Sequence, residues 1–300
     1  MKLLVTGANG QVGWELRRSL SHLGTVVAMD RNACDLSRPQ ELSRVIRDVR
    51  PDVIVNAAAY TAVDKAEEEE ELATTINGTA VGVIAEEARK LDALLVHYST
   101  DYVFDGAKAS PYTEDDPPHP INAYGRSKLA GERAIEQCGG LYLILRTSWV
   151  YAARGHNFLR TILRLAGERD ELRVVTDQIG APTWASDIAD VTATIAQQTS
   201  NERKLGNFAS GILNVTAGGK TSWFGFAEII LEQARLRAAA PQNKPKIIAI
   251  LSSERPTPAA RPKNSNLAGE RVHQRFGIAI GDWKNRLRLC MEQVAPLETT

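Results

Sequence analysis

Tyr124 and Lys128 stand four residues apart in the run Tyr124-Gly125-Arg126-Ser127-Lys128. On a helix that spacing puts a phenol and an ammonium on one face. Reducing a carbonyl needs a proton at the oxygen as hydride reaches the carbon. A free tyrosine, with a pKa of about 10, is a poor acid–base partner at neutral pH. A nearby cation favours the phenolate and lowers that value, and the same lysine is suited to hold a nicotinamide ribose. Thr100, in Ser99-Thr100-Asp101 at the end of an expected strand, is placed to hydrogen-bond the substrate oxygen or Tyr124. Asp101 is suited either to a sugar hydroxyl or to capping the next turn. Tyr98 fits either the core or a wall of the cofactor site.

A second constellation lies at the N-terminus, in Thr6-Gly7-Ala8-Asn9-Gly10-Gln11-Val12-Gly13. Gly7 permits a tight exit from a strand, Gly10 a close backbone approach to a pyrophosphate, and Gly13 close packing of helix on strand. The helix that follows offers amide donors and a favourable dipole to the anion. Asp30 ends the next expected strand, where an acid accepts from an adenosine ribose. Arg31 follows directly and is suited to a 2′-phosphate, so the residues leave NADH and NADPH both open. Asp35-Leu36 fits an adenine edge, although an acid before a helix is also a common cap. In Asn56-Ala57-Ala58-Ala59-Tyr60-Thr61 the small side chains allow a cofactor diphosphate and ribose to come close.

The elements that must position these groups follow from hydrophobic patterning. Strands are expected at 2–6, 25–30, 53–56, 94–99 and 141–146, and helices at about 12–23, 39–49, 67–90 and 122–137. Alternation of nearly continuous apolar strands with helices predicts a parallel sheet covered on both faces. Ser37-Arg38-Pro39-Gln40 reads as a helix start with a serine cap. The run 67–71, all glutamate, reads as a solvated helix start. Further on, helices are expected near 157–169, 186–199, 222–237 and 283–294, strands near 172–176 and 213–216, and ordered loops at 238–245 and 255–266. The fold class is therefore α/β, a Rossmann-type doubly wound sheet with a smaller C-terminal lobe. Residues 1–150 form the dinucleotide domain, with 184–215 returning to it, and 151–183 and 216–300 form the substrate-binding lobe.

The chain has 300 residues, 43% apolar and 24% charged, with zero formal net charge. That gives no global field for nucleic acid or an anionic membrane, and no apolar run approaches the roughly 20 residues of a membrane span. Cys34, Cys138 and Cys290 are far apart with no C-x-x-C, which fits a reducing cytoplasm better than a disulfide framework or a zinc site.

The glycine spacing G-x-x-G-x-x-G is that of short-chain dehydrogenases. His97-Tyr98-Ser99-Thr100-Asp101-Tyr102-Val103-Phe104 and Arg146-Thr147-Ser148-Trp149-Val150-Tyr151 closely resemble the dTDP-4-dehydrorhamnose reductase family. So do 177–183 and 255–262, and the resemblance covers residues 1 to about 290. It implies NADPH- or NADH-dependent reduction of the 4-keto group of dTDP-6-deoxy-L-lyxo-4-hexulose to dTDP-L-rhamnose. Tyr124 would be the proton donor, Lys128 its partner and Thr100 its tuner. Cofactor contacts would be Gly10, Gln11, Val12, Asp30, Asp35, Leu36, Ala59, Tyr60 and Thr61. Trp149 would contact the substrate, and Arg261, in a proline-stiffened loop, is suited to its diphosphate. Some relatives hold magnesium at a homodimer interface through glutamates. Here Glu15 is present, Ser186 stands at a second position with Asp187 its nearest substitute, and Glu292 lies in a slightly shifted register, so the resemblance leaves magnesium and a homodimer open and no metal ligands are assigned. Two rival readings are a nucleotide-sugar epimerase or dehydratase and a non-catalytic regulatory subunit that keeps the dinucleotide fold.

Overall fold

The computed structural model describes residues 1–236 and 245–294. In chain order the first half runs β1 (Lys2–Thr6), α1 (Gln11–Ser19), β2 (Thr25–Met29), α2 (Pro39–Val49), β3 (Val53–Asn56), α3 (Glu70–Thr74), α4 (Ala80–Lys90), β4 (Leu94–Thr100), α5 (Ala123–Cys138) and β5 (Tyr142–Thr147). The second half adds β6 (Val150–Tyr151), α6 (Phe158–Glu168), β7 (Glu171–Val175), β8 (Ile179–Gly180), β9 (Thr183–Trp184), α7 (Ala185–Lys204) and β10 (Gly211–Asn214). It closes with β11 (Thr221–Ser222), α8 (Trp223–Arg235), β12 (Lys246–Ile250), α9 (Glu270–Phe276) and α10 (Trp283–Glu292).

Six strands form one parallel sheet in the order β10-β5-β4-β3-β1-β2. The side-chain period of two divides each strand between two cores. Leu3, Val5, Val53, Val55, Leu94, Val96, Leu143 and Leu145 face α1 and α7. Leu4, Ile54, Leu95 and Ile144 face α2, α4 and α5. Both faces are thus covered, as a parallel sheet requires. The strand order reverses between β1 and β3, so the chain leaves a crevice at their carboxyl ends, where such sheets bind ligands. A third core, built from α6, α8, α10 and β7, belongs to the second half of the chain. There β12 pairs in parallel with β7 over five residues, a strand the sequence reading does not contain.

Three local expectations need correction. The helix expected over 67–90 is interrupted: a 3-10 turn at Lys65–Glu67 and α3 lead into a π-helical turn at Thr75–Thr79 before α4. The wider turn carries buried Asn77, whose side chain accepts from Tyr60 N (2.9 Å) and donates to Tyr60 O (3.0 Å) and Ser127 Oγ (2.9 Å). Ser37 does not cap α2. The cap position is Arg38, and Ser37 donates instead to Asp35 Oδ1 through both its N–H (3.0 Å) and its hydroxyl (2.8 Å). The glutamate run is no bystander: Glu67 accepts from Ala123 N (2.8 Å), Glu69 from Tyr60 Oη (2.7 Å), and Glu70 holds Arg126 in a two-pronged pair. These acids fasten the start of α5. Most of the loop expected at 238–245 lies outside the described residues.

α5 is seated tightly. A Cβ on Gly131 would come within 2.1 Å of Asn77 O, and one on Gly125 within 2.2 Å of Tyr102 O. Its underside is held by Glu132, which accepts from Arg146 of β5 at 2.9 and 2.6 Å with both side chains at most 2% exposed. Removing one partner of such a pair strands a buried charge and costs about 3–5 kcal/mol. Glu132→Ala should therefore lose about that much unfolding free energy in a urea titration. A loss below about 1 kcal/mol, the level of a surface pair, would mean the pair does not hold α5.

Candidate active site

The catalytic candidates converge where β4 ends and α5 begins. Asn122 caps α5, accepting from Gly125 N (2.8 Å) while its amide donates to Ala260 O (2.7 Å). That one side chain fixes both the helix start and the loop carrying Arg261. Tyr124, half-buried, meets Tyr102 edge to face at 5.5 Å. Burial pushes its phenol up to about 12, with the Thr100 hydroxyl working against the rise and Asp101 adding to it. The lowering expected from Lys128 is thus not seen. The reason is where the lysine points: Nζ donates to Tyr98 O (2.7 Å) and lies 3.2 Å from His97 Nε2. Burial lowers Lys128 to about 8, and Glu132 opposes that.

Thr100 does two things. Its oxygen accepts from Tyr102 N (3.2 Å), capping the turn after β4, and its hydroxyl donates to Asp101 Oδ1 (3.1 Å). Asp101 is 3% exposed and Oδ2 has no hydrogen-bond partner. Burial raises its carboxyl to about 7 despite help for the anion from Ser265 and Thr100. Tyr98 takes the core reading: its hydroxyl bonds Thr192 Oγ1 of α7 at 2.6 Å, and only its carbonyl serves the site.

The glycine loop forms as expected, with Gly10 as the cap of α1. Gly7 has φ +69°, and a Cβ there would meet Ala58 N at 2.7 Å; one on Gly13 would meet Gly7 O at 2.1 Å. Val12 packs on the sheet core, whereas Gln11 Oε1 accepts from Asn157 Nδ2 (3.0 Å), the cap of α6. A cavity of about 250 Å³ opens beside Gly7 and Gly10, with Asp30, Arg31, Asp35, Leu36 and Ala59 on its walls. Asp30 is pinned there: Oδ1 accepts from Asn32 N (3.0 Å) and Ala33 N (3.2 Å), and Oδ2 from Asn9 Nδ2 (3.1 Å). Arg31 is exposed, 3.6 Å from Asp35. Tyr60 lies against Ala66, Ala73 and Ala123 beside Tyr124, and Thr61 is exposed. A glycine cradle that no side chain can enter, followed by a pocket ending in a fixed carboxylate, fits a dinucleotide with its pyrophosphate on α1.

The second candidate pocket, about 530 Å³, lies between Phe158, Trp223 and Gln178 on one side and Arg255 and Arg261 on the other. Arg261 is held by Asp64, donating at 3.0 and 2.8 Å. Trp149, at φ +48°, stacks on Trp223 with ring centroids 3.5 Å apart, and a Cβ on Gly180 would strike its ring. Trp223, Asp64 and His97 carry no role in the sequence reading. Trp223 looks there like one more apolar position of a helix, and Asp64 lies 197 residues from its partner.

Ser186 and Asp187, at the position the resemblance points to for magnesium, bond arginines within this chain. Asp187 is taken by Arg286 through Nε (2.8 Å) and Nη2, and Arg18 donates to Ser186 (3.2 Å) and Asp190 (2.9 Å) near Glu15. Among the described residues no group of three or more His, Cys, Asp or Glu could hold a metal ion. Nor is any described helix long and apolar enough to cross a membrane.

Comparison with known proteins agrees with this geometry. The chain is 54% identical to the dTDP-4-dehydrorhamnose reductase of Burkholderia thailandensis over 295 residues, covering 98% of this chain and 99% of that one. It is 45% identical to the Escherichia coli dTDP-4-dehydrorhamnose reductase over 288 residues, 95% of each. Its structure matches that of the Bacillus anthracis dTDP-4-dehydrorhamnose reductase in complex with NADP at a TM-score of 0.88 and 34% identity, over 97% of this chain and 99% of that one. A UDP-glucose 4-epimerase from Thermus thermophilus shares the fold at a TM-score of 0.78 and 19% identity. The family model described as RmlD substrate binding domain matches residues 1–295, and the chain belongs to that family.

Proposed function

We propose that the chain is a dTDP-4-dehydrorhamnose reductase that uses NADPH or NADH to reduce the 4-keto group of dTDP-6-deoxy-L-lyxo-4-hexulose. The observation that carries this reading is the convergence of Tyr124, Lys128 and Thr100 at the end of β4, in a sheet whose first strand opens into a glycine cradle and in a chain 45–54% identical to curated reductases over nearly its whole length. Gly7, Gly10 and Gly13 with the α1 N-terminus hold the pyrophosphate, Asp30 faces the adenosine ribose, and Lys128 holds the nicotinamide ribose. When bound, NAD(P)H supplies the hydride. Tyr124 protonates the developing alkoxide; as a raised, neutral phenol it is a donor and not a base at rest. Thr100 and Asp101 bond the oxygens of the sugar, and Trp149 forms its wall. Arg261 offers its guanidinium to the diphosphate, with Asp64 keeping it oriented.

The pinned Asp30 and the exposed Arg31 favour neither cofactor outright. The epimerase reading shares the tyrosine and lysine, but its structural relative matches at 19% identity and supports the fold alone. The test is one assay with purified protein, NADPH or NADH, and the 4-keto-6-deoxy sugar nucleotide generated in situ. One cofactor oxidised per sugar reduced is the expected result. Binding without net oxidation would favour the epimerase or the regulatory subunit.

Two outcomes follow from the residues. Tyr124→Phe should leave the cofactor Kd unchanged and lower kcat by about 10²–10⁴-fold, the range of a lost general acid; unaltered turnover would remove Tyr124 from the mechanism. Asp101, raised to about 7 in the fold, binds its proton more tightly there than in the unfolded chain. Its contribution to stability is therefore full below about pH 4 and is lost as pH rises through about 7. Asp101→Asn should accordingly gain stability relative to the parent protein between those limits, read as a Tm difference that grows with pH. A pH-independent difference would show that the carboxyl is not neutral in the fold.

A further inference from the structure

A buried line of hydrogen bonds crosses the sheet beneath Lys128. On β1 the Thr6 hydroxyl donates to Asn56 Oδ1 of β3 at 2.6 Å. The same oxygen accepts from Ala58 N at 3.3 Å. A backbone N–H can only donate, so the amide oxygen of Asn56 must face that way. Its nitrogen then faces His97 Nδ1 of β4, 3.0 Å away. The other ring nitrogen, Nε2, lies 3.2 Å from Lys128 Nζ, and Nζ donates to Tyr98 O at 2.7 Å. Thr6, Asn56, His97 and Lys128 are each at most 2% exposed.

Donor and acceptor capacity orders this line. Asn56 donates to Nδ1, so Nδ1 carries a lone pair, and a neutral imidazole then has its hydrogen on Nε2. That N–H points at Lys128. An ammonium has no lone pair and would set N–H against N–H; an amine accepts from Nε2 while still donating to Tyr98 O. An imidazolium would oppose both Asn56 and Lys128 in a site where none of the three side chains is more than 2% exposed.

We propose that Thr6 and Asn56 fix His97 as its Nε2–H tautomer, and that His97, through this hydrogen, favours the amine over the ammonium of Lys128. His97 is a positioning residue: it acts through the lysine and sets the pH at which the group beside Tyr124 gains and loses its proton. The directions agree. Burial and Lys128 drive His97 well below its usual range, and Lys128 is itself lowered.

The other charged groups around α5 are engaged elsewhere. Glu132, which opposes the lowering, is paired with Arg146. Tyr98 bonds Thr192 and Asp101 bonds Thr100, while Tyr102 rests on Tyr124. Glu67, Glu69 and Glu70 bond Ala123 N, Tyr60 and Arg126, and Glu87 of α4 bonds Arg47 and Lys90.

The link to turnover rests on the reductase reading, whereas the tautomer and the titration are read without substrate. Histidine labelled with ¹⁵N and lysine labelled with ¹³C at Cε are followed by NMR from pH 6 to 10, without added cofactor. The signals are assigned by their loss in His97→Gln and Lys128→Met. The expected spectrum shows His97 neutral, protonated on Nε2 and not titrating. In Asn56→Asp the carboxylate can only accept, so His97 should turn its hydrogen to Nδ1 and present a lone pair to Lys128. The lysine midpoint then rises by about one pH unit or more, and the pH profile of kcat moves the same way. A parent His97 protonated on Nδ1, or charged at pH 7, overturns the proposal. An Asn56→Asp protein with an unmoved lysine midpoint overturns it as well.

Discussion

The hydrogen bond from Lys128 to the carbonyl of Tyr98 is the constraint around which this structure is arranged. A lysine that reaches a strand carbonyl from within a helix forces helix and strand together, and the chain meets that demand with small residues. Gly125 and Gly131 let α5 touch the backbone of Tyr102 and Asn77. The π-turn at Thr75–Thr79 turns Asn77 inward to bond Tyr60 and Ser127. Once α5 is seated, Tyr124 stands at the mouth of β4 next to Thr100. The geometry of the candidate catalytic residues thus depends on how closely one helix can lie on one sheet.

The two halves of the chain are joined at the same place. Gln11, in the glycine loop, bonds Asn157, which caps α6. Asn122, the cap of α5, holds Ala260, and Asp64 holds Arg261 on that same loop. A cap of this kind contributes about 0.5–2 kcal/mol, and here each also ties a segment of one half to an element of the other. Trp149 on Trp223 adds an aromatic face between the sheet end and α8. The cleft between the halves is therefore shaped by side chains that already serve as structure.

The strands and the glycine loop were legible in the sequence because their signals are local. Period-two burial, the exit at Gly7 and the helix that follows depend on residues within a few positions of one another. Tyr124 and Lys128 were legible for the same reason, being one helical turn apart. What stayed hidden depends on partners far along the chain. The glutamates at 67–71 look like a solvated face until Ala123 N and Arg126 are seen against them. The break before α4 carries Asn77, whose partners Tyr60 and Ser127 lie 17 and 50 residues away. The direction of Lys128 follows from His97 and Tyr98 on another element, and the rise of the Tyr124 phenol follows from its burial, neither of which the four-residue spacing reveals.

In the proposed reaction proton and hydride reach one carbonyl from different sources, and isotope transfer reads that directly. Reduction with NADH deuterated at the transferable position of C4 of its nicotinamide ring should give a sugar nucleotide carrying one deuterium at C4 of the sugar. With unlabelled NADH in deuterated water, that carbon should take up none. A product whose C4 hydrogen came from solvent, or a sugar left unlabelled while the cofactor stayed reduced, would contradict it.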